Sequence, residues 1–176
     1  MNDYRAGFTI RAGEEKDSEL ILSMIRELAA FEGLDHEITA TAEDIRKSLF
    51  EKKQAEVVIG WFYEKPAAFA LYFYNYSTFL GKAGLYLEDL FVREEYRKQG
   101  LGREMLRYLA RTAVENQCER LDWLCLDWNS PAIEFYESFG AYMLDDRRMF
   151  RMSGDKLSAF AGTENEFFNR RMLWET

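Results

Sequence analysis

An apolar strand that carries two adjacent acids, then runs through a basic glycine turn straight into a helix, is the feature that most constrains this chain. It occupies residues 85–102, LYLEDLFVREEYRKQGLG. Leu85, Leu87, Phe91 and Val92 make the strand apolar, and the polar corner Arg93-Glu94-Glu95 stops it. Arg97-Lys98-Gln99-Gly100-Leu101-Gly102 then presents several backbone N–H groups at the positive end of a helix dipole, where glycines let an anion approach the main chain. Two basic side chains flank those amides. The same glycines can also serve only a tight strand-to-helix turn, so the loop needs support from elsewhere in the chain. Two familiar nucleotide loops are absent: the Walker pattern requires Gly-Lys-Ser/Thr, and the dinucleotide fingerprint a third glycine with an acid about 20 residues on.

A second motif lies downstream. Residues 128–141 read WNSPAIEFYESFGA, in which Ser130 suits an N-cap and Pro131 the first helical position. Ile133 and the run Phe135 to Phe139 supply apolar residues at helical spacing, and Gly140 ends the helix. A strand, Leu121 to Leu126, precedes it.

Arg97 to Gly102 resembles the pyrophosphate-binding loop of the GNAT superfamily of acetyl-CoA-dependent N-acetyltransferases, Arg/Gln-x-x-Gly-x-Gly/Ala between a strand and a long helix, at all three fixed positions. Asn129-x-x-Ala132-x-x-Phe135-Tyr136-x-x-x-Gly140-Ala141 is similar to the segment with which that family closes the other side of its coenzyme site. Leu85 to Val92, Leu28 to Glu32 and Asp127 to Pro131 further resemble the diamine acetyltransferase branch, meaning spermidine/spermine N-acetyltransferase and its thialysine-acetylating relatives. The likeness extends from about Phe8 to Phe160. It implies an α/β GNAT fold, with a mixed, mostly antiparallel central sheet flanked by helices, in a single domain.

Composition sets bounds on this reading. The chain's 176 residues, 48% of them hydrophobic, suffice for one domain with a core and are too few for two comfortable ones. The expected boundaries are 1–162 for the domain and 163–176 for a tail. Phe167, Phe168, Leu173 and Trp174 make that tail too apolar to stay free, so it is expected to pack on the domain or on a dimer partner. Met1 to Arg5 lacks a signal-peptide core and no apolar run approaches a membrane span, so a cytoplasmic protein with no membrane partner is expected. Cys118 and Cys125 lack partners at metal spacing, so neither a metal site nor a disulfide framework is expected. The net charge of −8 argues against nucleic acid as a partner and suits a cationic substrate, although acidity also serves solubility alone.

Along the chain, Phe8 to Arg11 reads as a first strand, and Asp17 or Ser18 can cap a helix with the stripe Leu20, Ile21, Met24, Ile25 and Leu28, broken at Gly33. Thr41 to Asp44 reads as a capping box for a second short helix with Ile45 and Leu49 on one face. Glu56 to Tyr63 and Ala67 to Tyr74 read as a hairpin, Asn75 to Gly84 as a loop, and Leu101 to Asn116 as a long helix with Met105, Leu109 and Ala113 on its stripe. Tyr142 to Leu144 and Met149 to Met152 read as a final strand pair, and Gly154 to Phe160 as a terminal helix.

The chemistry follows from the amine. With a pKa near 10.4, an aliphatic amine is neutral in roughly one molecule in a few thousand at pH 7, so an acetyltransferase must bind the cation and then remove a proton. The resemblance assigns proton removal to Glu88, through water, and the leaving thiolate's proton to Tyr136. The other readings are a salt-bridged or solvated Glu88 and a core Tyr136 with a satisfied hydroxyl. Two consecutive acids in an apolar strand are costly to bury unless a cation meets them. Asp89, on the opposite face from Glu88 by simple alternation, either organises the site or binds structure, and Glu32 is carried over as a contact for a remote ammonium group. His36 reads as a loop residue. The coenzyme residues implied are Arg97, Lys98, Gln99, Gly100, Leu101 and Gly102 at the pyrophosphate, the backbone of Leu90, Phe91 and Val92 along the pantetheine arm, and Asn129 and Tyr136. Asn129 can equally be a turn former.

Two departures touch specificity. Tyr76 to Lys82 stands where polyamine enzymes place an acid and a tryptophan, and Phe31 where they carry tyrosine. The expected function is therefore acetyl transfer from acetyl-CoA, as co-substrate, to a small primary amine by direct attack: a diamine, a polyamine or a lysine- or thialysine-like amino acid. A homodimer is expected from the resemblance alone. Acetylation of a protein N-terminus or lysine is a second reading, and a non-catalytic acyl-CoA-binding module a third, which the presence of Glu88 and Tyr136 opposes.

Overall fold

The computed structural model describes residues 6–163, which divide between Leu126 and Asp127 into two units. In the first, β1 (Phe8–Ala12), β2 (Glu56–Phe62), β3 (Lys65–Ser77), β4 (Lys82–Val92) and β5 (Leu121–Trp123) form one sheet in the order β1-β2-β3-β4-β5. The first three pairings are antiparallel and β4–β5 is parallel, which is the expected mixed, mostly antiparallel sheet.

Helices α1 (Ser18–Glu32) and α2 (Ala42–Ile45, continued by a π-type turn, Arg46–Glu51) lie over one face of that sheet. Ile21, Met24 and Leu49 meet Val57, Ile59, Phe69 and Phe91 there in a buried cluster, with Leu20, Ile25 and Leu28 packed against it. Burying each such side chain contributes about 1.5–3 kcal/mol. On α3 (Leu101–Glu115), Met105, Leu109 and Ala113 are buried as its helical stripe predicts, and Leu101 and Leu106 are buried with them. Thr41 and Asp44 form the expected capping box of α2, Thr41 Oγ1 accepting from the Asp44 N–H at 3.2 Å and the Thr41 N–H donating to Asp44 at 2.9 Å. Gly33 ends α1 in the left-handed region (φ 74°), and the Leu34 N–H closes on the Ala29 carbonyl at 2.8 Å, so Glu32 is the last residue of that helix.

Several expectations are corrected. Asp17 stands at the N-cap of α1 without capping it, because its buried carboxylate accepts both Arg11 terminal nitrogens, at 2.7 and 3.0 Å, and the Glu14 N–H at 2.8 Å. Ser18 is the first helical residue, and its hydroxyl donates to the Glu15 carbonyl. The Arg11 hydrogen bond outweighs burial and holds the Asp17 carboxyl below its ordinary range. Asp17→Ala is expected to cost about 1–2 kcal/mol in urea unfolding at pH 7, discounted for the partly exposed Arg11. Because the folded pKa is depressed, that difference should be present above pH 4 and vanish as pH falls through the depressed value.

Residues 75–84 are not a loop. β3 runs on to Ser77 and β4 starts at Lys82, with Asn75 opposite Gly84 and the Phe73 and Tyr86 rings 5.0 Å apart, so aromatic cross-strand pairs extend the ladder past the glycine. β5 stops at Trp123, three residues short of the expected Leu126, because its ladder with β4 covers only Leu85 to Leu87.

In the second unit, α4 (Ser130–Glu137) and α5 (Gly154–Phe160) are both present. The strands expected at Tyr142 to Leu144 and Met149 to Met152 are not formed among the described residues. Arg148 instead closes a local turn by donating to the Asp145 carbonyl at 3.0 Å, and apolar alternation without a ladder partner does not make a strand. The expected packing of Phe167, Phe168, Leu173 and Trp174 lies outside the described residues.

Candidate functional site

The site begins at a fault in the ladder. Asp89 stands opposite Leu71, but Leu87 stands opposite Tyr72, so Glu88 is an extra residue bulged out of β4. Phe91, opposite Phe69, belongs to the cluster beneath α1, and Asp89 two residues earlier points to that side. Leu87, opposite Tyr72, faces the other way. The bulge thus resets the alternation, and the expected simple opposition of Glu88 and Asp89 across the strand does not hold.

This brings three of the sequence-predicted acids together. Asp89 is half-buried, and burial, with the carboxylates of Glu88 and Glu32 acting on it, pushes its carboxyl up to about 6. Burial also raises the Glu32 carboxyl. Glu88 is exposed. Among the described residues none of the three makes a salt bridge, so the reading of Glu88 as a salt-bridged strand residue is set aside. An acid held near 6 in this way favours an added cation.

The end of β4 offers main chain. The β5 ladder stops at Leu87, so among the described residues Glu88 to Val92 has no strand paired on that side. The Arg93 N–H donates to the Ala67 carbonyl at 2.9 Å, and by antiparallel alternation Phe91 is tied to β3 while the polar groups of Leu90 and Val92 face the open edge. Of the three residues expected to pair along the coenzyme arm, Leu90 has both backbone groups so directed, Val92 offers its N–H while its carbonyl accepts from Arg97 Nε at 2.9 Å, and Phe91 faces β3 instead.

The loop that follows is built for close approach of an anion. Lys98 (φ 58°) and Gly100 (φ 82°) both adopt left-handed conformations, and Gly100 is the N-cap of α3. A left-handed non-glycine residue costs on the order of 1–3 kcal/mol and persists where the surroundings enforce it. The first-turn amides around Leu101 and Gly102 have no partner within the helix. Gln99 donates its side-chain amide back to the Glu95 carbonyl at 3.2 Å. Arg97 does not extend from the loop: its Nε donates to the Val92 carbonyl at 2.9 Å, and its guanidinium carbon lies 4.3 Å from the Phe31 ring centroid and 5.5 Å from that of Phe91. The loop and open edge fit a molecule with a diphosphate and an extended, amide-bearing arm.

Arg93, read from sequence only as part of a polar stop, has a larger task. It grips Glu27 of α1 through two nitrogens, at 2.8 and 2.6 Å, and the Pro66 carbonyl at 2.9 Å. That clamp joins α1, the β2–β3 corner and the end of β4. Only the strand-corner position of an arginine hinted at it.

Asn129 and Tyr136 lie in the second unit. Asn129, not Ser130, is the N-cap of α4, its Oδ1 accepting from the Ala132 N–H at 3.3 Å. Pro131 is the second helical residue, one place beyond the first position expected for it, because the cap falls on Asn129 and Ser130 opens the helix. The Tyr136 ring lies 5.4 Å from that of Phe135, which in turn makes an edge contact with Phe139.

Residues 22–141 match the model of the acetyltransferase (GNAT) family. A thialysine N-epsilon-acetyltransferase of Caenorhabditis elegans is 37% identical over 147 residues, covering 82% of this chain and 91% of that protein. An L-ornithine N5-acetyltransferase of Arabidopsis thaliana is 39% identical over 125 residues, which are 70% of this chain and about half, 52%, of that protein. Among solved structures, an integron cassette protein from the mobile metagenome of V. cholerae superposes with a TM-score of 0.75 at 25% identity, covering 89% of this chain and 99% of that one.

Proposed function

The chain belongs to the acetyltransferase (GNAT) family and is an N-acetyltransferase, and we propose that it moves acetyl from acetyl-CoA to a small primary amine carrying a second polar or cationic group. The observation that carries this reading is the grouping of Glu32, Glu88 and Asp89 without a cation of their own. The relatives named for thialysine and ornithine, both amino acids with an amine at the end of a side chain, support that substrate class.

Acetyl-CoA supplies a thioester carbonyl as electrophile and a thiolate as leaving group. The main-chain amides of Arg97 to Gly102, with Lys98 beside them, hold its pyrophosphate, and Leu90 and Val92 pair with its arm. Asp89 and Glu32 bind the cationic substrate. Glu88, free on its bulge, takes the ammonium proton through water, so the amine nitrogen can attack. The new C–N bond forms as the C–S bond breaks, and Tyr136 gives its proton to the departing thiolate while Asn129 steadies the coenzyme. A homodimer belongs to the same proposal and rests on family resemblance alone; a cytoplasmic location belongs to it on the sequence reading alone.

The test is thiol release from acetyl-CoA with putrescine, spermidine, lysine, ornithine, thialysine and a peptide panel. Turnover is expected with at least one small amine and not with peptides, and Tyr136→Phe should reduce kcat by roughly 10²-fold or more. Turnover of peptides alone overturns the substrate class; an unchanged kcat in the Tyr136 variant overturns its role as acid.

A further inference from the structure

We propose that Arg97 is a positioning residue for the amine, through Phe31, and that its side chain is not a ligand of the coenzyme. This rests on the reading that Glu32 and Asp89 face the amine. Arg97 opens the glycine loop, where a free guanidinium would meet phosphate, yet among the described residues its side-chain hydrogen bond and its ring contacts point back toward the strand and α1. Nε occupies the Val92 carbonyl, and the cation lies over Phe31 at 4.3 Å and Phe91 at 5.5 Å. Among the described residues Arg97 makes no salt bridge, so aromatic faces, not a carboxylate, hold its charge.

The geometry has two consequences. Phe31 directly precedes Glu32 at the end of α1, which Gly33 terminates, so a cation pinned on the Phe31 ring sets where that carboxylate sits relative to Asp89. Phe91, the ring on the other side, lies two residues beyond Asp89 on β4. Arg97 therefore ties the helix bearing one acid to the strand bearing the others without neutralising either. A lysine or a carboxylate-paired arginine in its place would hold the helix end less specifically, because only a planar guanidinium both donates in plane and stacks.

The experiment is a double-mutant cycle on the full chain with Arg97→Gln, Phe31→Leu and the pair, scored on amine KM, kcat and acetyl-CoA dissociation constant. Glutamine can keep the hydrogen bond to Val92 but cannot stack as a cation. Each single variant is expected to raise amine KM about five- to tenfold, the pair no more than either alone, with acetyl-CoA affinity within about twofold of wild type. Arg97→Lys should recover part of the amine KM. Weakened acetyl-CoA binding in Arg97→Gln with unchanged amine KM, or additive single effects, overturns the proposal. Failure of the wild-type protein to acetylate any amine would instead overturn the substrate reading beneath it. Should Arg97→Gln not fold, Phe31→Leu at an exposed ring carries the test alone: an unchanged amine KM is then the overturning result.

Discussion

Asp89→Asn is expected to lose about 30-fold or more in amine kcat/KM through KM, and at the same time to raise the melting temperature. Both follow from one carboxyl. Burial and the neighbouring Glu88 and Glu32 push it up to about 6, above its ordinary 3.8. Between those values the folded state holds a proton that the unfolded chain releases, so stability falls as pH rises through the window, and at pH 8 the fold bears the full cost of an unpaired charge. Asparagine removes that cost. The gain, about 1–2 kcal/mol at pH 8, should shrink toward zero at pH 4. The wild-type enzyme's kcat/KM for the amine should climb with a limb near pH 6, as the carboxylate forms to meet the ammonium, and the Asn variant should lack that limb. Glu88→Gln should behave differently, losing roughly 10²-fold in kcat with KM little changed, because an exposed base acts on the proton more than on binding. A pH 6 limb that persists in Asp89→Asn would show that some other group titrates there.

What could be read from sequence was what local rules decide. The capping box at Thr41, the αL stop at Gly33, the stripes of α1 and α3 and the glycine loop each depend on neighbours within four residues, and each is present. The bulge at Glu88 could not be read, since it exists only in the register between β3 and β4, and with it went the facing of Asp89. The short β5 follows from the same fault, because a parallel ladder ends where its neighbour leaves the pleat. Asn129 displaced Ser130 as cap because either residue type can accept from a first-turn amide, and residue type alone does not choose. Arg97 is the sharpest case. Its place in the motif suggested phosphate, whereas its contacts depend on where α1 ends, a tertiary fact carried by Phe31.

The loop itself makes the second large prediction, at Gly100. Its φ of 82° places it in the left-handed region at the N-cap of α3, and the amides after it owe their common direction to that turn. A β-branched residue there meets its own carbonyl, so Gly100→Val is expected to cost about 2 kcal/mol or more and to relieve that strain by rotating the peptide planes that face the pyrophosphate. Asparagine, which tolerates the left-handed region, separates the two effects: Gly100→Asn should keep near wild-type stability and lose only a fewfold in acetyl-CoA affinity, while Gly100→Val should lose about tenfold or more. Calorimetric titration with acetyl-CoA, run beside thermal melts of both variants, makes the comparison. Affinity should track backbone conformation and not side-chain charge, so Lys98→Ala, which removes a flanking cation but no amide, should fall between them and lose its deficit at high salt, where the valine deficit persists. Equal affinities for the asparagine and valine variants would mean that the amides of this loop do not hold the phosphate.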